Sequence, residues 1–288
     1  MNKRNVGEVF FELKKNKGAL VGLSIISFFT LLAITGPLIA PFSESELSTH
    51  LLVDPFWGEK SDVNHLLGTD DVGRDTLSRL IFGSRISLFI GIFVTLISGT
   101  IGTLLGLTAG YFGGLVDRSI MRGIDILMAL PSILLAIVVV SILGPGLVNA
   151  IIAVAIVSIP SFTRIVRAGV IEEKHKQYVQ AAKTFGTPTY EIIFKEILPN
   201  CAAPLIIQTT LCFSDGILNA AALSFLGLGA QPPTAEWGIM LSDARSLIES
   251  SPWLVTLPGL CILIVVLSFN LLGDGLRDAL DPRLKKGK

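Results

Sequence analysis

Six apolar stretches dominate this chain and leave few folds open to it. They cover residues 19–40, 86–112, 120–143, 147–162, 202–228 and 253–272. Several exceed the roughly 18 apolar residues that mark a membrane span. Only 16% of residues are charged and mean hydropathy is +0.68, against about 25% charged in a soluble domain. The expected fold class is an all-α membrane protein with six transmembrane helices. Each span must satisfy its backbone polar groups internally, which helices do.

Charge placement sets the expected orientation. Six spans put both termini on one side. Of the 23 Lys and Arg residues, 18 fall on that side: in 1–17, around Arg118 and Arg122, in 164–201 and after 273. Basic residues favour the cytoplasmic face, so both termini and the loop 164–201 are expected in the cytoplasm of a bacterial cell with an inner membrane. The expected organisation is a cytoplasmic tail 1–18, an anchor span 19–40, an acidic outer segment 41–83, a five-span core 84–274 and a cytoplasmic tail 275–288. Residues 1–17 pattern as an interfacial helix. The span 19–40 lacks a convincing small-residue cleavage site, so it is expected to be retained. Formal net charge is zero, and no nucleic-acid partner is expected.

The loop stretch 178–199, YVQAAKTFGTPTYEIIFKEILP, reads as two short helices joined by a stop. Val179, Ala182, Lys183 and Phe185 give the first an apolar edge. Gly186 suits the left-handed position past a helix end. Thr187 is the expected N-cap of the second helix, with Pro188 at its first position. Ile192, Ile193, Ile197 and Leu198 supply an apolar face, and Pro199 the end. Such an elbow suits handing force to another protein; an amphipathic loop packed on its own domain fits the periodicity equally well.

Within the spans, Gly102, Gly106, Gly110 and Gly114 recur every four residues, a smooth face for close helix contact, either static or sliding. Pro131 and Pro160 are expected to kink their helices. Asp215 is the one acidic residue deep in an apolar run, with Asn219 four residues on and so on the same face. That face either lines a translocation cavity, where it would attract a substrate ammonium group, or contacts a partner helix. The outer stretch 65–88 carries an expected short helix at 75–82, and Trp237 is expected at the headgroup zone. Cys201, Cys212 and Cys261 lack ligand spacing, as do the three His residues. No metal site, cofactor or catalytic residue is expected.

Ala181-Ala182, Gly186 and Ile197-Leu198-Pro199 at this spacing resemble the EAA loop of ABC importer permeases. HLLGTDDVGRD, GAQPPTAEWG and FNLLGDGLRDALDPRLK extend the likeness over nearly the whole chain, to the dipeptide/oligopeptide/nickel class and, within it, the C subunits of dipeptide permeases. The resemblance implies a type I ABC importer permease fold with a cytoplasmic coupling helix. Tyr178, Gln180, Ala181, Ala182, Gly186, Ile197, Leu198 and Pro199 would form its ATPase-coupling surface. It also implies a second permease subunit, two cytoplasmic ABC ATPases and an extracytoplasmic solute-binding protein. Gln180 stands where the family pattern has Glu, keeping length and hydrogen bonding but losing charge. Cargo is left open among dipeptides, longer peptides, nickel chelates and haem-like molecules.

The chain has no GxxxxGK[ST] phosphate loop, no HExxH and no GxSxG, so nucleotide hydrolysis is expected from partners. A membrane enzyme would need paired ionisable groups in the bundle, and Asp215 lacks an evident partner. A scaffold subunit without transport would be told apart by neighbouring genes that encode no ATPase or second permease.

Overall fold

A computed structural model of the chain describes residues 6–280. The tails 1–5 and 281–288, with their basic residues, lie outside the described residues. Among those described all regular elements are helices, with isolated bridges in the outer segment in place of strands. Helix α1 (Val6–Lys15) leads into α2 (Lys17–Ile39), where the side chain of Asn16 accepts from Ala19 N and its amide donates to Asp278. Among the described residues five helices are long and apolar enough to cross a bilayer, or six when one bent pair is counted as a single span.

Helix α3 (Thr76–Phe112) runs 37 residues, about 55 Å, well beyond the roughly 30 Å apolar thickness of a bilayer. The short helix expected at 75–82 is the first part of α3. Asp75 caps it, accepting from Ser78 N at 2.8 Å, and the helix runs on through Gly83, which lies against the Trp237 ring instead of ending it. The expected core boundaries at 84 and 274 both fall within helices, the first in α3 and the second in α11 (Trp253–Leu280).

The third span, expected as one helix over 120–143, is broken. Helix α4 (Gly114–Met128) meets α5 (Ser132–Leu143) at 93° across a short break. Pro131 is the N-cap of α5, where its missing N–H costs nothing. Pro160 sits within α6 (Leu147–Glu173), which continues through it.

The glycine stripe faces α6, and three of its four members make the contact. A Cβ on Gly102 would lie 2.5 Å from Phe162 Cβ; on Gly106 and Gly110 it would lie 2.7 Å from Val166 Cβ and Val170 Cβ. Gly114 drops out: α3 has ended at Phe112, and Gly114 starts α4 with φ +55° and open space around it. Backbone proximity of this kind maximises dispersion contact between lipid-embedded helices.

At one end the segment 40–75 folds over the bundle with α10 (Trp237–Asp243). Arg74 pairs with Asp70 (2.6 Å) and Asp243 (3.1 Å), and buried Arg79 lies 3.5 Å from Asp243. Trp237, expected at the headgroup zone, is instead fully buried. Its indole N–H donates to Leu80 O at 3.1 Å, and its ring lies against Gly83 and edge-on to Phe29. A satisfied N–H removes the reason for Trp to seek the interface. Residues 164–173 of the expected loop are the last turns of α6, and the rest lies at the other end of α3, where Lys174 reaches Gly110 O.

Candidate functional site: the elbow at 178–199

Helix α6 ends at Glu173, and α7 (Gln177–Thr184) forms the first arm of the elbow. Its stop is a Schellman motif: Thr187 N donates to Ala182 O and Gly186 N to Lys183 O, both at 3.0 Å. The motif puts its C′ residue in the left-handed region, and Gly186 has φ +75°. The expected stop is therefore where the sequence placed it.

The second arm departs from expectation at both ends. Pro188, not Thr187, is the N-cap, and α8 (Thr189–Glu191) begins one residue later. The Pro188 carbonyl accepts from Glu191 N and Ile192 N. Nor does Pro199 end the arm. The chain passes through a π turn (Ile192–Ile197) and a 3₁₀ turn (Leu198–Cys201) into α9 (Ala202–Phe225). Pro199 sits at the start of the 3₁₀ turn, where its lack of an N–H is harmless. The second arm thus runs without a break into the following span.

The elbow is packed onto the bundle through its aliphatic face. Val179, Ile192, Ile193, Ile197 and Cys201 form one buried cluster with Leu107 of α3 and Val166 and Val170 of α6, against which Ala182 and Leu198 pack partly buried. Gly169 lets Cys201 approach: a Cβ there would be 2.9 Å from the sulfur. The residues that touch the elbow are those that α3 and α6 present beside the glycine stripe.

Polar contacts fix the first arm. Buried Glu173 accepts from Tyr178 OH at 2.5 Å and from Lys176, and Asn200 donates to the Tyr178 oxygen at 3.2 Å. Burial, then the Glu173 carboxylate, raises the Tyr178 phenol above its ordinary range. The Glu173 hydrogen bond holds the Lys176 ammonium likewise high. Lys174 reaches from α6 to Gly110 O at 2.8 Å. Arg167 grips Asp117 with two bonds of 2.5 and 2.6 Å, and Arg164 pairs with Asp125 at 2.8 Å, tying α4 to the same end.

The other face stands clear of the bundle. Gln180, Ala181, Gly186 and Pro199 are exposed. Phe185 is 88% exposed, Tyr190 63% and Phe194 49%. The expected apolar edge of the first arm is therefore divided: Val179 points in and Phe185 points out. Tyr190 and Phe194 were not singled out from sequence, although their four-residue spacing opposite Ile192 and Ile193 carried the signal.

The other candidate pair behaves differently. Asp215 is exposed on α9, on a face shared with Leu211 and Leu218. Asn219 turns back to donate to the Asp215 backbone carbonyl at 2.8 Å, so the two side chains are not bonded to one another. No group of three or more metal-ligating side chains occurs among the described residues.

The family described as "Binding-protein-dependent transport system inner membrane component" matches residues 102–286. This chain belongs to that family. The permease also matches the N-terminal transmembrane domain of oligopeptide transport permease C over residues 6–54. It is 53% identical over 285 residues to the dipeptide transport system permease protein of Haemophilus influenzae, covering 99% of this chain and 97% of the relative. It is 54% identical over 271 residues to the di/tripeptide transport system permease protein of Pseudomonas aeruginosa, covering 94% and 89%. A glutathione transport system permease protein of Pectobacterium atrosepticum is 51% identical over 221 residues, covering 77% and 73%. In fold, the permease resembles a chain of the inward-facing MetNI methionine ABC transporter, with TM-score 0.57 and 18% identity, over 70% of this chain and 97% of that one. The expected all-α importer permease fold is thereby established, and the chain is a multi-pass membrane component of a transport system.

Proposed function

We propose that this permease imports dipeptides or short peptides, and that the elbow 178–199 is where it receives the work of ATP hydrolysis. The supporting observation is the division of the elbow: aliphatic side chains lock it to α3 and α6, while Phe185, Tyr190 and Phe194 are left for another protein. Aromatic side chains, Phe and Tyr among them, are enriched in protein–protein interfaces. The partners are two cytoplasmic ATPases, one of them docked on the elbow, a second permease of similar fold beside the bundle, and a solute-binding protein at the end capped by segment 40–75. Both termini face the cytoplasm.

In this reading, nucleotide-driven closure of the ATPases moves α7. The buried cluster carries the displacement to α6 and α3, and the second arm carries it directly into α9. The bundle then shifts between inward-open and outward-open states only to the extent that the partners bind the two differently. The peptide cargo is supported by the short-peptide transport named for the relatives above.

Gly186→Pro tests the coupling role. Proline cannot adopt φ +75°, and it removes the N–H bonded to Lys183. We expect a complex that assembles in the membrane and hydrolyses ATP without accumulating labelled dipeptide. Uptake at the normal ratio to hydrolysis would contradict the assignment. Competition of that uptake by unlabelled dipeptides, but not by nickel chelates or haem, tests the cargo.

A further inference from the structure

Helix α2 is pinned to the bundle at two places. Near one end Gly22 lies close to α11, where a Cβ would be 2.5 Å from Ser268 O; towards the other, Gly36 lies against α3, where a Cβ would be 2.8 Å from Ile81 Cγ2. Fourteen residues separate these glycines, about 21 Å of helix. Between them α2 packs on the bundle through Ile25, Phe29, Leu32 and Ala33, and beside its Ile34 and Pro37 edge lies a groove of about 710 Å³. Its walls are Ile34 and Pro37 of α2 and Leu88, Phe89 and Ile92 of α3. Its floor is Phe213 stacked on Phe269, with ring centroids 3.8 Å apart.

One charged side chain lines this groove. Arg85 is exposed, and among the described residues it has no hydrogen bond or ion pair. It stands nine residues into α3 from the capped end, about 13 Å along the helix, with Phe89 and Ile92 on the same face farther in. Arg85 stands just before the apolar run 86–112, at the border where an arginine's charged head reaches into the headgroup zone.

We propose that the groove holds one anionic phospholipid of the leaflet at the capped end, its phosphodiester on Arg85 and an acyl chain along Phe89, Ile92 and Ile34. This rests on the chain spanning a bilayer and not on its cargo. Two observations favour a lipid over a peptide carboxylate. The groove opens beside α2, whose apolar window is only 17% buried, with Leu31 and Ile34 outward; it faces the bilayer rather than the bundle interior. Apart from Arg85 and the Thr30 hydroxyl its lining residues are apolar, so a peptide's amides would go unpaired there. An acyl chain makes no such demand, and the guanidinium forms bidentate bonds to a phosphodiester.

The test uses the assembled importer in nanodiscs of phosphatidylcholine alone or mixed with phosphatidylglycerol. Native mass spectrometry counts the lipids that survive removal from the disc. The wild type should retain one additional phosphatidylglycerol, preferred over phosphatidylcholine by about fivefold, the contribution of one basic residue to anionic-lipid binding. Arg85→Gln should erase that preference, Arg85→Lys should keep most of it, and Ile34→Trp should expel the lipid by filling the groove. A photoactivatable acyl chain on phosphatidylglycerol should label peptides containing Phe89 or Ile34. Equal preference in wild type and Arg85→Gln would overturn the proposal. So would inorganic phosphate protecting Arg85 without any lipid, or labelling absent because the second permease covers the groove.

Discussion

The side-chain amide of Gln180 donates to the backbone carbonyl of Lys174 at 2.9 Å. This bond runs from the first arm of the elbow back to the C-terminal cap of α6 and satisfies one of the carbonyls that a helix end leaves open. An ionised Glu at 180 has no proton to give and would turn a negative charge towards that carbonyl. The residue that departs from the family pattern is thus the one this turn can use.

Gln180→Glu is therefore expected to loosen α7 rather than strengthen it. One neutral hydrogen bond contributes about 0.5–1.5 kcal/mol. Amide hydrogen exchange across α7 should speed up about two- to tenfold by the same figure. Unchanged or slower exchange would show that the bond to Lys174 carries no weight.

Gly106→Val places a branched side chain where even a Cβ would lie 2.7 Å from Val166. Overpacking of this kind costs about 1–3 kcal/mol, and here it separates α3 from α6 beside the elbow. Thermal stability of the complex and dipeptide uptake should both fall. Gly123→Ala, where nothing lies within 4 Å, should leave both unchanged.

Phe185 and Ile197 give opposite signatures. Ile197 is fully buried in the elbow cluster, so Ile197→Ala should destabilise by about 2–5 kcal/mol. Phe185→Ala removes an exposed ring and should leave the melting temperature within error. Its effect should appear in the affinity of the permease for the ATPases, lost by about tenfold or more if Phe185 is an anchor of that contact.

Asp215→Asn separates the two roles open to that residue. If Asp215 lines the cavity, it meets the peptide ammonium there. Losing a charge-assisted bond of about 1.5–3 kcal/mol then raises the apparent KM roughly ten- to hundredfold with assembly intact. Unchanged uptake by a correctly assembled complex removes the cavity role.

The spans were legible in the sequence because lipid forces length and apolarity on any helix that crosses it. The Gly186 stop was legible because few residues adopt φ +75° without strain. Other features were set by contacts that leave little local trace. Ending the second arm at Pro199 follows from proline chemistry alone; α9 overrides it through a 3₁₀ turn. Whether Phe185 points in or out depends on the α3–α6 surface, which already holds Val179, Ile192 and Ile197. Trp237 looked interfacial because Leu80, the partner of its N–H, lies 157 residues away.

The most direct test joins the exposed corner to its proposed engine. A cysteine at Phe185, in the otherwise intact importer, is treated with a short bifunctional thiol reagent, with and without ATP and vanadate. The account predicts a crosslink to an ATPase subunit whose yield changes with nucleotide state, and none from a cysteine placed at exposed Leu66 in the outer segment. Capture from Leu66 but not from Phe185 would contradict it.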